Sequence, residues 1–204
     1  SEGYLDESIH PTEKAVSEIQ ESAPKRAIIL AAGFGMRMVP INTETPKGLL
    51  EVHGEPLIER QIRQLHTAGI HNIYIVVGFM KEQYEYLIDE YDVTLIVNAD
   101  YASKNNLHSL NLASEYLKNS YIIPCDIWCK DNPFHKHEFY SWYMVSDAQT
   151  TESSVRVNRK MELTTISKTA IGNAMIGISY LSENDSSYIQ QRLSSLDNDA
   201  RYDG

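Results

Sequence analysis

Positive charge is scarce in this chain. Eighteen Lys and Arg stand against 28 Asp and Glu over 204 residues, a formal net charge of −10. A nucleic-acid surface needs a basic patch, so nucleic acid is not expected as a partner of the main domain. A nucleotide held by a few local cations is still allowed. Cysteine is scarce too: only Cys125 and Cys129, on either side of Asp126. Two thiols are too few for a zinc site unless histidines join them, and neighbours this close are poorly placed for a disulfide. A reduced state and a cytoplasmic location are therefore expected. No apolar run approaches transmembrane length, no signal peptide is visible, and there is no internal repeat or low-complexity tract. The chain begins at Ser1 and ends at Arg201-Tyr202-Asp203-Gly204. Asp-Gly reads as a turn, so a fragment trimmed at both ends is expected.

What is present suits one α/β domain with a short appendage: 42% hydrophobic and 23% charged residues, enough to bury a sizeable core. The most informative stretch runs from Leu30 to Pro40, with Thr45-Pro46-Lys47 after it. The apolar run Ala27-Ile28-Ile29-Leu30 reads as a buried strand that feeds the loop Ala31-Ala32-Gly33-Phe34-Gly35-Met36-Arg37. Glycines let backbone N–H groups approach phosphate oxygens, and cations neutralise charge that builds up during transfer. A dinucleotide fingerprint would need Gly or Ala where Met38 stands. A Walker A loop would need Gly-Lys-Ser/Thr there, whereas Lys47 precedes its glycine, Gly48. A lone Gly-x-Gly would be an ordinary strand-to-helix turn. With Arg37, Pro40, Pro46 and Lys47 in register, the stretch reads as the nucleotide-binding loop of a nucleotidyltransferase.

Residues 1–24 differ in character from the rest of the chain. Thr12 is a plausible N-cap for a helix carrying Ala15, Val16 and Ile19, ended by Ser22-Ala23-Pro24. Gly-Tyr-Leu followed by Thr-Glu-Lys resembles the last wing and final helix of a winged-helix module; a solvated N-terminal helix is the other reading. The domain proper is placed at 25–204. Strands are expected at 27–32, 50–52, 73–77, 93–97 and 121–123. Pro56 opens a helix with Leu57, Ile58, Ile62 and Leu65 on its apolar face, ended by Gly69. Further helices are expected at 81–91, with Tyr84, Leu87, Ile88 and Tyr91 inward, and at 107–117. The alternation implies a mostly parallel sheet with helices on both faces. Strand-like stretches at 139–145, 153–157, 163–167 and 174–180 suggest an added antiparallel part, and 182–196 reads as a helix.

Open parallel sheets bind ligands beyond the carboxyl ends of their strands. The glycine loop lands there, and so does Asp126, just after strand 121–123. A carboxylate facing a phosphate loop is a natural anchor for Mg²⁺, which shares oxygen ligands with substrate phosphates. The bland alternative for a strand-end Asp is a turn former or N-cap.

The loop, Pro46-Lys47, Val52-x-Gly54-x-Pro56-Leu57-Ile58 and the strand-end Asp126 resemble bacterial sugar-phosphate nucleotidyltransferases. Val77-Gly78-Phe79-Met80-Lys81-Glu82-Gln83, Asn98-x-x-Tyr101-Ala102 and Asn105-Asn106-x-x-Ser109-Leu110 narrow the resemblance. They are similar to the CTP:phosphocholine cytidylyltransferases of bacterial choline incorporation, over about residues 26–135. The resemblance implies a Rossmann-like nucleotidyltransferase fold and a reaction of CTP with phosphocholine, giving CDP-choline and pyrophosphate. It implies a nucleotide site on Leu30, Ala31, Ala32, Gly33, Phe34 and Gly35, with backbone amides around Gly33 and Gly35 on the triphosphate. Arg37 would neutralise the leaving pyrophosphate, Lys47 the α-phosphoryl group, and Asp126 would hold Mg²⁺. Asn105, Asn106 and Ser109 are candidates for base and ribose contacts, or else a helix-capping cluster. Aromatic faces recognise a choline headgroup, which makes Trp128 and Tyr180 candidates, although aromatics are mostly core. The family places a second metal carboxylate near its C-terminal end; Asp203 is a weak substitute, so low activity is expected of this piece. Two alternatives stay open. One is a sugar-1-phosphate nucleotidyltransferase using UTP or dTTP; the other is a ligand-sensing domain attached to a DNA-binding module.

Overall fold

Ala27, Ile28, Ile29 and Leu30 offer no polar side chain to either side of a strand, so both faces of that strand must be covered. In the computed structural model, which describes residues 3–35, 44–167 and 169–197, they are. Strand β1 (Arg26–Ala31) lies between β4 (Asn72–Val77) and β6 (Ser120–Pro124), parallel to both. Strand β5 (Thr94–Val97) extends the parallel set beyond β4. On the other side β10 (Gly172–Leu181) runs antiparallel to β6, and β7 (Trp142–Thr150) antiparallel to β10. The order β5-β4-β1-β6-β10-β7 confirms the expected Rossmann-like, mostly parallel sheet with an antiparallel addition. A separate hairpin pairs β8 (Val155–Val157) with β9 (Leu163–Thr165).

Alternate residues of β1 serve opposite cores, as strand geometry requires. Ala27, Ile29 and Ala31 face α2 (Leu57–Thr67) and α3 (Tyr86–Tyr91) through Ile58, Ile62, Leu65 and Leu87. Ile28 and its neighbours Val76 and Ile122 face α4 (Asn106–Leu112) and α5 (Glu183–Leu196) through Leu107, Leu110 and Leu193. Each large aliphatic so buried contributes about 1.5–3 kcal/mol relative to exposure. Helix α2 ends as Gly69 indicated. Gly69 sits at φ 85, its N–H donates to His66 O at 2.9 Å, and Ile70 N–H donates to Leu65 O at 2.9 Å. These are the two bonds of a Schellman motif.

Several local expectations change. Pro56 lies next to the first position of α2, as expected, and serves as its N-cap. With Glu55 it forms β3 (Glu55–Pro56), which pairs with β2 (Glu51–Val52) across a two-residue turn. His53 and Gly54 in that turn both have positive φ, 54° and 81°, as a type I′ turn demands. The helix expected at 81–91 divides into a 3₁₀ turn, Lys81–Tyr84, and α3. Tyr84 and Leu87 are fully buried, but Ile88 is 45% exposed. Three residues per turn in the 3₁₀ segment rotates the buried face away from it. Similarly, α4 stops at Leu112 and a 3₁₀ turn, Ser114–Tyr116, completes the expected helix. Phe139 and Tyr140 precede β7 and are exposed.

Helix α1 (Glu13–Glu21) is capped by the Thr12 side chain, which accepts from Ala15 N–H. Ala15 is its buried residue, and it is anchored mainly at its end. Tyr180 Oη donates to Ser22 O at 2.8 Å and Asn119 Nδ2 to Glu21 O at 3.1 Å. No helix among the described residues is long and apolar enough to cross a membrane.

Candidate active site

The strand order reverses at β1: chain connections run outward to β4 and β5, then return to β6 on the other side. The switch point between β1 and β6 is where such sheets take ligands. Both features expected from the sequence arrive there. Leu30 is the last β1 residue paired to β6, and its carbonyl accepts Cys125 N–H at 3.2 Å. Asp126 follows immediately. Beyond β1, Ala32 O accepts Phe79 N–H at 3.1 Å, and the Phe34 ring meets Phe79 edge-on at 4.5 Å between centroids. Ala31 and Ala32 are buried, and Gly35 takes φ 70. Arg37 and Pro40 lie outside the described residues, as does Asp203.

The chain returns through Glu44, whose carbonyl accepts from Gln83 Nε2 at 3.0 Å, and enters the 3₁₀ turn Lys47–Leu49 after Pro46. Here Lys47 Nζ lies 3.0 Å from Asp126 Oδ2. Gly48 makes this approach possible. A Cβ at Gly48 would sit 3.1 Å from Tyr84 Oη and 3.2 Å from Cys125 Cβ, so the turn nests against both. Burial pushes the Cys125 thiol up to about 12, with the adjacent Asp126 carboxylate adding to the effect. It stays protonated at neutral pH and is no nucleophile. Burial likewise raises the Tyr84 hydroxyl, which lies against the Gly48 backbone.

The stretch 105–109 lies at the same sheet edge, after β5. Asn105 caps α4, its Oδ1 accepting Leu107 N–H at 2.8 Å. Asn106 opens α4 and is exposed. Ser109 is buried, and its Oγ accepts from Asn98 Nδ2 at 3.0 Å. Of the two aromatic candidates, Tyr180 belongs to the core: it is fully buried and packs on Tyr121 at 5.3 Å. Trp128 lies near Asp126 in sequence, but the Arg60 guanidinium already sits over its ring, 4.8 Å from the centroid. His53 stands 5.0 Å from it, and Trp128 Nε1 is buried without a partner among the described residues.

Sequence reasoning gave no chemical role to three residues that shape this edge. Asn98 ties the end of β5 to α4 through Ser109. A Cβ on Gly78 would fall 2.6 Å from Tyr101 Cβ and 2.9 Å from Ala32 O, so only glycine lets the β1 and β4 loops approach. Gln61 occupies the buried face of α2; its spacing, four after Leu57 and three after Ile58, was the available signal. As for metals, no cluster of three or more His, Cys, Asp or Glu occurs among the described residues. A protein-only cage is therefore not formed there. A lone carboxylate among the described residues there, Asp126 after β6, fits a cation that takes its other ligands from a bound molecule and water.

Residues 27–148 match the MobA-like NTP transferase domain. The chain is 47% identical over 118 residues to the choline-phosphate cytidylyltransferase of Streptococcus pneumoniae, covering 58% of this chain and 52% of that protein. It is 45% identical over 101 residues to the 2-aminoethylphosphonate cytidylyltransferase of Lancefieldella rimae, covering 49% and 41%. It spans about half the length of these curated relatives or less. Among solved structures, CTP:phosphocholine cytidylyltransferase of S. pneumoniae superposes with a TM-score of 0.77 at 35% identity, covering 88% of this chain and 82% of that one. Switch-point geometry and these matches together place the chain in the MobA-like NTP transferase domain family.

Proposed function

We propose that this chain carries the site that transfers a cytidylyl group from CTP to phosphocholine, releasing pyrophosphate. The observation that carries the reading is the Lys47–Asp126 contact at the switch point, at the carboxyl ends of the paired strands β1 and β6. The relatives' names favour CTP over other nucleotides, and the identity to the choline-phosphate enzyme favours phosphocholine. A nearly equal identity to an aminoethylphosphonate enzyme supports a second, related acceptor, an ammonium group joined through two carbons directly to phosphorus, without the ester oxygen of phosphocholine.

The acceptor phosphate is largely ionised at neutral pH, its second pKa being about 6, so no general base is required. Catalysis reduces to alignment and charge neutralisation. The amides after β1 hold the triphosphate. Arg37 would neutralise the leaving pyrophosphate, and Lys47 turns from Asp126 to the α-phosphoryl oxygens. Asp126 would hold Mg²⁺, which when bound neutralises phosphate charge and fixes the triphosphate. Asn105 and Asn106 stand at the nucleoside end. Trp128 borders the acceptor side, with one face of its ring already covered by Arg60.

Residues 1–24 are read as an accessory segment that resembles the end of a winged-helix module, a solvated helix being the other reading, and the reaction is assigned to the cytoplasm. The test is pyrophosphate release from CTP, UTP and dTTP with phosphocholine, 2-aminoethylphosphonate and glucose 1-phosphate. CTP with phosphocholine is expected to be fastest. Turnover with a sugar phosphate and none with either amine would overturn the reading.

A further inference from the structure

One row of α2 is joined to the loop after β6 by side-chain-to-backbone hydrogen bonds that the proposed chemistry does not use. Gln61 is 3% exposed. Its Nε2 donates to the carbonyls of Pro124 and Ile127, both at 2.9 Å. Those two peptide groups bracket Asp126. On the same side of the helix, Arg60 donates to the carbonyls of Cys129 and Lys130 at 2.8 and 2.6 Å, while its guanidinium covers Trp128.

Pro124 is the last residue of β6, and 125–131 after it contains neither helix nor strand, so the carbonyls of 125–131 have no ladder to enter. Without α2 they would depend on water or remain unpaired. Gln61 meets that need at a cost, because its Oε1 is buried with no partner among the described residues. A methionine would fill the same space with no orphaned oxygen. The amide is favourable here only through its two donors, and both are spent on either side of Asp126. Helix α2 is itself held rigid by Ile58, Ile62 and Leu65, which are fully buried.

We propose that Gln61 is a positioning residue: it fixes the turn that aims the Asp126 carboxylate, and so sets how tightly the site takes a divalent cation. This rests on reading Asp126 as the cation-holding carboxylate. Mg²⁺ demands near-ideal octahedral geometry, so a turn free to shift loses affinity before it loses its fold. Groups that orient a ligating carboxylate typically cost about 10–100-fold in metal affinity or activity when removed.

The test uses the whole chain with Trp142→Phe, which leaves Trp128 as its one tryptophan, with and without Gln61→Met or Gln61→Leu. Three readouts are followed: acrylamide quenching of Trp128, Mn²⁺ binding in the presence of CTP by EPR, and the Mg²⁺ dependence of pyrophosphate release. Both variants are expected to quench more readily and to bind Mn²⁺ about tenfold more weakly. The Mg²⁺ for half-maximal rate should rise in parallel, with the CTP KM at saturating Mg²⁺ within about twofold of the parent. Unchanged quenching and unchanged Mn²⁺ affinity would overturn the proposal, whatever the rate does. If the parent releases no pyrophosphate but the variants still bind Mn²⁺ more weakly, the positioning role stands and the assigned reaction falls.

Discussion

Lys47 and Asp126 are 79 positions apart in sequence and 3.0 Å apart in the fold. A cation and a carboxylate this close neutralise each other. In the proposed reaction a polyphosphate and its cation would divide the pair, and each member would then stabilise charge in the transition state. Lys47→Ala and Asp126→Ala are each expected to lower kcat by about 10²–10³. The double variant should lose much less than the product of the two, because both act on the same phosphoryl group. Steady-state pyrophosphate release measures all three, and full additivity would argue that the two work independently. A second prediction concerns packing. Gly78→Ala forces a methyl group against Tyr101 Cβ and Ala32 O, and overpacking of this kind costs about 1–3 kcal/mol. Urea unfolding should show a lowered midpoint with an unchanged m-value. At this scale motif spacing pointed to Lys47 and Asp126, and the fold brings the two together. Tyr180 was not legible, because a tyrosine on a late strand looks the same in sequence whether it faces a pocket or the core.

At the scale of elements, the β2–β3 hairpin is fastened to α2 by charge. Glu55 Oε1 accepts from Arg60 Nη1 at 2.5 Å, and Arg63 engages the other oxygen. The Arg60 hydrogen bond, more than the Arg63 one, holds the Glu55 carboxyl below its ordinary value of 4.5, against the opposing effect of burial. A depressed carboxylate stabilises the fold fully above its unfolded pKa and ceases to do so as pH falls through the folded one. The docking should therefore be intact at neutral pH and weaken from about pH 5 downward. Glu55→Gln is expected to flatten that part of the melting-temperature profile while lowering the plateau above it. An unchanged acid limb would show that the ion pairs do not hold the hairpin. Helix α1 makes a contrasting case. Thr12→Ala removes its side-chain cap, worth about 1 kcal/mol, and should hasten amide exchange at residues 13–16 without affecting Mn²⁺ binding. Elements with strong periodicity or capping, α1, α2 and the parallel strands, were legible in advance. The 3₁₀ segments at 81–84 and 114–116 were not, since their apolar spacing mimics a continuous α-helix.

Over the whole molecule, one sheet separates two cores, and the site sits at the carboxyl ends of its parallel strands. Leu193 lies in the core under α4 and α5, remote in sequence from every site candidate among the described residues except Tyr180, itself a core residue. Leu193→Ala should cost about 2–5 kcal/mol by leaving a cavity. Calorimetry is expected to register that loss while CTP affinity, measured below the new melting temperature, stays within about twofold. A large loss of CTP affinity would mean that α5 participates in the site.

Sequence and tertiary structure divide the work by the range of the contacts each contains. The sequence by itself determined the sheet, because runs such as residues 27–30 cannot be solvated on either face. It also singled out the loop after β1, because glycine and cation spacing restricts what a backbone can cradle. Only the tertiary structure decided that Lys47 meets Asp126, that Gln61 spans the turn beside it, and that Trp128 already carries a guanidinium. Those contacts join segments that no local pattern relates: parallel strands brought side by side place their carboxyl ends together however far apart they lie in the chain.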